Sequence, residues 1–210
     1  MKINRRNLFR KDEIAQLYDS AIGSQMAWRL KSTQLFAAAR MIFQQAFKYK
    51  TVATKFRTIG SRTLTPKESR EFEEWLQHEI AGFLLALAME NLLKALWVGK
   101  NRRRIKNIER INKQLDEICN HNLVALCKKA GFTITYFEKT FLTALTEAIF
   151  WQGRYPVPLT RMNYTKYFET NYSLNFLMED STQNSWPAYI DCFIQKLNEA
   201  LNKIPEKDQY

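Results

Sequence analysis

The stretch from Ile80 to Val98 constrains the fold more than any other part of the chain. It is apolar nearly all round, and its polar exceptions are Glu90, Asn91 and Lys94. A helix with apolar residues on every side lies in the middle of a bundle rather than on its surface. We therefore predict a central helix. Because Glu90 and Lys94 are one turn apart, they can form a charge pair inside it.

The start of this helix is marked by Thr65-Pro66-Lys67-Glu68. Thr65 can accept a hydrogen bond from the Glu68 amide and Glu68 can reach back, while Pro66 occupies a position that needs no amide donor. The helix is predicted from Pro66 to about Val98, and Gly99 is expected to end it.

Apolar spacing and turn residues predict further helices on both sides of the central one. The first begins after Asp12, is bent or broken near Gly23, and runs to about Lys48. After a loop over 49–64 and the central helix, residues 105–118 are partly helical. A short helix then begins at Asn120 or His121 and ends at Gly131.

Two more helices complete the predicted bundle. Thr135 begins the first of them, which Gly153 and Pro156 close, and Ser185-Trp186-Pro187 begins the last, after an irregular aromatic stretch over 158–182. The helix after Thr135 is expected to face inward with Phe137, Phe141, Leu142, Leu145, Ile149 and Phe150.

Composition agrees with a single all-α domain over residues 1–210, folded as an up-and-down helical bundle. The chain has only 6 Gly and 5 Pro, and 46% of its residues are hydrophobic. Its 3 Cys include no CxxC pair, and 2 His are too few for a Cys/His metal site, so we expect reduced thiols, no metal and no cofactor. Met1 to Lys11 lacks the apolar core of a secretory signal, and charges interrupt the Ile80 run, so we expect a cytoplasmic protein without a membrane span.

Positive charge is concentrated in the first half of the chain. Residues 1–110 hold 22 basic and 10 acidic residues, whereas residues 111–210 hold 10 and 11. Such clusters attract polyanions, which makes nucleic acid the leading partner class; the alternatives are a solvated surface that aids solubility and a basic face that meets anionic lipid. The candidate nucleic-acid-binding residues are Lys48, Lys50, Lys55, Arg57, Lys100, Arg102, Arg103, Arg104 and Lys106.

A second candidate site depends on His121, one of only two histidines. Metal-free phosphodiester cleavage needs a base, an acid and a cation, and His121 with Arg154 supplies these types of group. If the helices on either side of Gly131 are antiparallel, Arg154 returns toward His121. His121 can instead cap its helix or lie in a dimer interface. Glu90 can pair with Lys94, pair with an Arg or His across the bundle, or orient His121.

These residues carry a family resemblance. Ala86 to Leu96 resembles the central helix of HEPN domains (higher eukaryotes and prokaryotes nucleotide-binding), a family of helical bundles. His121-Asn122-Leu123 is similar to the His-Asp-Leu that starts the family's third helix, and Arg154-Tyr155-Pro156 is similar to the Arg-Tyr-Pro that ends its fourth. The three elements cover a HEPN-like core of about residues 70–158, with helical additions at both ends.

The resemblance implies two kinds of function. Many HEPN members are metal-independent ribonucleases of defence or toxin–antitoxin systems, in which four to six residues separate an Arg from the His, usually across a homodimer interface. Here the required positions hold Gln114, Leu115 and Asp116. Members without that Arg are RNA- or nucleotide-binding modules or partners of small nucleotidyltransferases.

Binding of RNA or a nucleotide by a homodimer is therefore our leading interpretation. One alternative is a divergent metal-independent endoribonuclease with His121, Arg154 and Glu90 as its catalytic residues. The other is a non-catalytic interaction partner of a nucleotidyltransferase.

Overall fold

A computed structural model describes residues 23–47, 65–101, 121–151 and 188–204. They form five α-helices, and no strand occurs within these ranges. The predicted all-α helical bundle is confirmed. The helices are α1 (Gln25–Phe47), α2 (Pro66–Asn101), α3 (Leu123–Lys129), α4 (Tyr136–Trp151) and α5 (Ala188–Asn202).

Helix α2 is the central element, as the apolar run predicted. It packs against each of the other four helices, and most extensively against α1. Its second half supplies much of the core, whereas Ile80, where the apolar run begins, is exposed. The buried apolar residues of α2 are Ala81, Leu85, Ala86, Ala88, Met89, Leu92, Leu93, Ala95, Leu96, Trp97 and Val98.

Gly99 does not end α2, so that prediction was wrong. The helix continues to Asn101. A Cβ atom at Gly99 would lie 2.8 Å from Gln25 Oε1 and 2.8 Å from Ile204 Cδ1. The space beside Gly99 is thus occupied by the side-chain ends of Gln25, at the start of α1, and of Ile204, which follows α5, and local helix signals do not reveal such contacts.

Side-chain contacts give the direction of the helices. The Ser32 hydroxyl of α1 donates to the Ala88 carbonyl of α2 at 2.8 Å, and Gln25 lies beside Gly99, so α1 and α2 are antiparallel. Arg40 pairs with Asp191 at 2.5 Å, and Arg29 donates to Asn202 at 3.1 Å. Helix α5 is therefore antiparallel to α1.

Helices α3 and α4 form an antiparallel pair against α2. The Thr146 hydroxyl of α4 accepts from the Leu123 amide at 3.1 Å and donates to the Leu142 carbonyl at 2.8 Å. The Phe150 ring lies edge-on to His121, with 6.1 Å between ring centroids. The end of α4 therefore lies beside the start of α3.

Helix caps agree with the sequence at several ends. Thr65 and Glu68 exchange side-chain and amide hydrogen bonds, as do Thr135 and Glu138. Gly131 follows α3 with a φ of 58°. The predicted start of α3 was wrong by two or three residues, because Asn122 is its N-cap and accepts from the Ala125 amide at 2.9 Å.

The predicted inner face of α4 is correct in part. Phe141, Leu142, Leu145 and Ile149 are buried, but Phe137 is 50% exposed and Phe150 is 41% exposed. Each exposed ring lies at the edge of the packed face, where Phe137 contacts Tyr189 and Phe150 contacts His121. Because these two phenylalanines are apolar, the sequence placed them on the inward face of α4, but they do not lie on it.

By length and composition, the stretch Ile80–Asn101 is able to cross a membrane, and 72% of its most apolar window is buried inside the protein. The core helix of a water-soluble protein satisfies the same criteria, so this helix is weak evidence for membrane insertion.

Several predictions lie outside the described residues. They concern the segment after Asp12, the loop over 49–64, the partly helical 105–118, the stop at Gly153 and Pro156, the aromatic stretch 158–182 and the start at Ser185.

Candidate functional site

The candidate site is organised around the carboxylate of Glu90, which is buried in the middle of α2. Its side chain is 5% exposed. Oε1 accepts a hydrogen bond from Lys94 Nζ, one turn later on the same helix. Oε2 lies 3.0 Å from Nδ1 of His121. The carboxylate therefore has both of the partners that the sequence offered as alternatives, Lys94 on its own helix and a histidine across the bundle.

This geometry determines which nitrogen of His121 carries a hydrogen. A carboxylate only accepts hydrogen bonds, and Oε1 of Glu90 already accepts from the Lys94 ammonium. Nδ1 of His121 must then be the donor. In the neutral ring the hydrogen lies on Nδ1, and Nε2 is left with its lone pair as an acceptor or base.

The Lys94 ammonium is held from a second side by helix α1. Its Nζ lies 5.2 Å from the centroid of the Trp28 ring, a distance at which a cation is attracted to an aromatic face. The Lys94 side chain is only 10% exposed. Glu90 and Lys94 thus form a buried ion pair enclosed between α1 and α2.

His121 is positioned by the residues that begin α3. Asn122 caps the helix, and Leu123, whose side chain is fully buried, ties its amide to Thr146 of α4. The Phe150 ring packs edge-on against the imidazole. His121 is not the helix cap, so one of the structural roles that the sequence allowed for it belongs to Asn122.

The imidazole is the member of this cluster that reaches solvent. Its side chain is 33% exposed, against 5% for Glu90. Within the described parts of the chain, no hydrogen bond to Nε2 is present. The cluster therefore presents one ring nitrogen outward and keeps its charged partners inside.

One predicted nucleic-acid-binding residue has a clear contact in the fold. Lys100 Nζ donates to the carbonyl oxygens of Ala130 at 2.7 Å and Gly131 at 3.1 Å. These carbonyls follow the C-terminal end of α3, where a cation is favoured by the helix dipole. The ammonium of Lys100 therefore stabilises this turn.

The other predicted binding residues lie outside the described residues, and so does Arg154. They are Lys48, Lys50, Lys55, Arg57, Arg102, Arg103, Arg104 and Lys106. The antiparallel arrangement that the sequence required for Arg154 to return toward His121 is present, since α4 ends at Trp151 with Phe150 against the imidazole.

Sequence reasoning did not find two supporting residues. Thr146 lies inside a helix, where a threonine gives no signal that its hydroxyl will serve another helix. Trp28 is far from Lys94 in the chain and has the pattern of an ordinary core residue. Trp97, which lies in the apolar run of α2, is buried.

A separate cleft of about 490 Å³ lies between α1 and α5. Its floor includes Phe36, Leu92 and Ile194, and the ion pair of Arg40 with Asp191 spans it. The Ser32 hydroxyl at its wall is bonded to Ala88. The polar groups named here are thus engaged within the protein, which distinguishes the cleft from the His121 cluster.

The described ranges hold no group of three His, Cys, Asp or Glu that could bind a metal. Cys127 and Cys192 are free thiols. Burial raises the pKa of the Cys127 thiol to about 12, so Cys127 is not activated as a nucleophile.

Comparison of the chain with protein-family models, with curated proteins and with solved structures finds no match.

Proposed function

We propose that this protein is a HEPN-like module that binds RNA or a nucleotide, with His121 contacting the phosphate-bearing ligand. The observation that carries the proposal is the buried carboxylate of Glu90 at 3.0 Å from Nδ1 of a partly exposed imidazole. A carboxylate in this position selects the ring tautomer and stabilises the imidazolium. A histidine held this way is suited to a ligand at its other nitrogen.

The same geometry suits an anionic ligand. When the ring is protonated, Nε2–H is a charged donor, and hydrogen bonds from charged donors to phosphate are shorter and stronger than neutral ones. Lys94 already neutralises part of the negative charge of Glu90. This negative charge therefore cancels only part of the attraction between an imidazolium and a phosphate. The positive excess of residues 1–110 adds a long-range attraction for polyanions.

The test of binding uses a fluorescently labelled single-stranded RNA of mixed sequence and, separately, a labelled adenine nucleotide. We expect the Kd of at least one probe to rise about 10- to 100-fold in His121→Ala, since a hydrogen bond to a charged group contributes about 1.5–3 kcal/mol. Fluorescence anisotropy at two salt concentrations measures both the affinity and its electrostatic part.

Lys139→Ala is the matched control, because it removes an exposed cationic side chain from the far end of α4. The affinity of Lys139→Ala for each probe should stay within about twofold of that of the native protein, as expected for one screened surface charge. Equal affinity of the native protein and His121→Ala for both probes, or no binding of either, would contradict the proposal.

A divergent metal-independent ribonuclease is the second candidate, and the His121–Glu90 pair favours it. A histidine whose Nδ1–H is held by a carboxylate can use Nε2 as a general base. Arg154, three residues beyond the end of α4, is the cation proposed for the developing charge. Under this alternative, pure protein cleaves RNA in EDTA and His121→Ala loses that activity, whereas cleavage unchanged by the substitution removes the candidate.

A further inference from the structure

We infer that Lys94 is a positioning residue for His121 and acts through Glu90. The inference rests on the proposed function, because it concerns the same imidazole. Three groups are connected in series: Lys94 Nζ donates to Glu90 Oε1, and Glu90 Oε2 accepts from His121 Nδ1. The end of this series that reaches solvent is the ring.

A buried ion pair at this position is not explained by stability alone. Removing two charges from water costs several kcal/mol per ion, and well-packed apolar residues in place of such a pair are often as stable or more so, by about 1–4 kcal/mol. Glu90 and Lys94 are surrounded by the apolar residues of the bundle core, where leucine or methionine side chains fit the pattern of α2. The pair therefore has a role besides filling the core.

The role of the pair follows from the two hydrogen bonds that the Glu90 carboxylate accepts. Lys94 occupies Oε1 and places a positive charge beside the buried carboxylate, as a buried charge requires. Oε2 is left for Nδ1–H of His121. The Trp28 ring lies against the ammonium on its other side, so α1 contributes through Lys94 and Glu90 to the orientation of the His121 ring.

Loss of the Lys94 charge has a specific consequence for the ring. Without that cation, a buried carboxylate and an imidazolium can neutralise each other: the proton on Nδ1 passes to Oε2, which then donates back to Nδ1, and the ring keeps a single hydrogen at Nε2. The ring then meets a phosphate with a neutral Nε2–H in place of the charged donor of an imidazolium, although no ligand contact has been removed.

The experiment is two-dimensional ¹H–¹⁵N NMR of the histidine rings in the full chain, recorded from mildly acidic to alkaline pH. His78 is the internal reference, and His78→Gln assigns the two rings. At alkaline pH the native protein should show the neutral His121 ring in the Nδ1–H form. At a pH low enough to protonate the native ring on both nitrogens, Lys94→Met should instead show a neutral ring in the Nε2–H form, and Lys196→Met, which breaks the pair with Glu138 on another side of the bundle, should behave like the native protein.

An Nε2–H form of His121 in the native protein would overturn the inference whether or not any variant folds. If Lys94→Met does not fold, the double variant Glu90→Gln/Lys94→Met, in which both side chains are neutral, is measured instead. This double variant should lose the preference for Nδ1–H, because an amide can accept from or donate to the ring. An unchanged preference in either variant would contradict the role of Lys94.

RNA affinity separates this inference from the proposed function. If both hold, Lys94→Met weakens binding by at least half as many log units as His121→Ala, and adding Lys94→Met to His121→Ala causes no further loss. If His121→Ala weakens binding but Lys94→Met changes neither affinity nor tautomer, the inference fails and the proposed function stands. If Lys94→Met changes the tautomer while His121→Ala binds RNA normally, the proposed function fails and the positioning of the ring stands.

Discussion

Two ion pairs of this bundle differ in almost every physical respect. Glu90 and Lys94 lie on one helix with side chains 5% and 10% exposed, whereas Arg40 and Asp191 join α1 to α5 across a cleft with side chains 48% and 49% exposed. The exposed pair keeps its hydration and adds little to stability. The buried pair costs desolvation, and its carboxylate also holds an imidazole.

The difference indicates where this protein concentrates its chemistry. At the cleft, the Arg40 and Asp191 charges are paired with each other and the Ser32 hydroxyl is bonded to the backbone. At the His121 cluster, buried charges support a ring that reaches solvent. Residues held at a cost inside a core and connected to a surface group are candidates for function, and variants of the two regions test that contrast.

The largest effect is expected from Glu90→Ala. Removing the carboxylate leaves the buried Lys94 ammonium without its anion, and such a loss costs about 3–5 kcal/mol. Urea unfolding followed by circular dichroism measures the change in the free energy of unfolding. Asp191→Ala is the matched control, and equal destabilisation by the two variants would break the contrast between the pairs.

Hydroxyl removal in the two regions should have the next largest effect. Thr146→Val leaves the buried Leu123 amide without its acceptor and should cost about 1–3 kcal/mol. Ser32→Ala removes a donor from Ala88, whose carbonyl also lies within the helical ladder of α2, and should cost about 0.5–1.5 kcal/mol. Thermal unfolding of both variants gives the order, and a smaller loss for Thr146→Val would count against its role in holding the start of α3.

A double-mutant cycle of Arg40→Ala and Asp191→Ala measures the exposed pair directly. The coupling energy should be about 0.2–1 kcal/mol at low salt and smaller at high salt, because both groups are half exposed. A coupling of about 3 kcal/mol, as in buried networks, would show that exposure does not separate the two regions.

The smallest effect concerns the acid dependence of stability through Glu138. Burial acts to raise the pKa of this carboxyl, but hydrogen bonds from the Thr135 amide, Lys196 and the Thr135 hydroxyl outweigh it and hold the pKa below its ordinary value. A lowered folded-state pKa contributes stability above the unfolded-state pKa, and this contribution is lost as pH falls through the folded-state value.

Glu138→Gln should therefore reduce stability at neutral pH and flatten its decline in acid. Denaturation midpoints at neutral pH and at successively lower pH measure this slope. A variant whose midpoint falls as steeply as that of the native protein would contradict the assignment. Glu147→Gln, on the same helix, is the comparison carboxyl.

Local signals predicted much of the fold. The capping residues at Thr65 and Thr135 and the glycine at 131 mark helix ends through contacts within four residues, so the sequence contains the whole interaction. The apolar run of α2 likewise requires burial on all sides. Gly99 was wrongly predicted to end α2, because the residues that contact this position, Gln25 and Ile204, are distant in the chain.

The candidate site was predictable in its members but not in its connections. A carboxylate in an apolar helix needs partners, so Glu90 led to Lys94 and His121. That one carboxylate accepts from both depends on where the start of α3 lies relative to α2. Thr146 of α4 helps to hold that start through a hydrogen bond to the Leu123 amide that no sequence pattern indicates. Arg154 stays a prediction.

The most direct test of the account is the response of the two His121 ring nitrogens to single-stranded RNA. In ¹⁵N-histidine-labelled protein titrated with the oligonucleotide, we predict that the Nε2 signal moves with the bound fraction while Nδ1 keeps its hydrogen and its contact with Glu90. Signals of both nitrogens that stay in place at saturating RNA, with RNA bound elsewhere on the protein, would contradict the claim that this ring is the ligand-facing group.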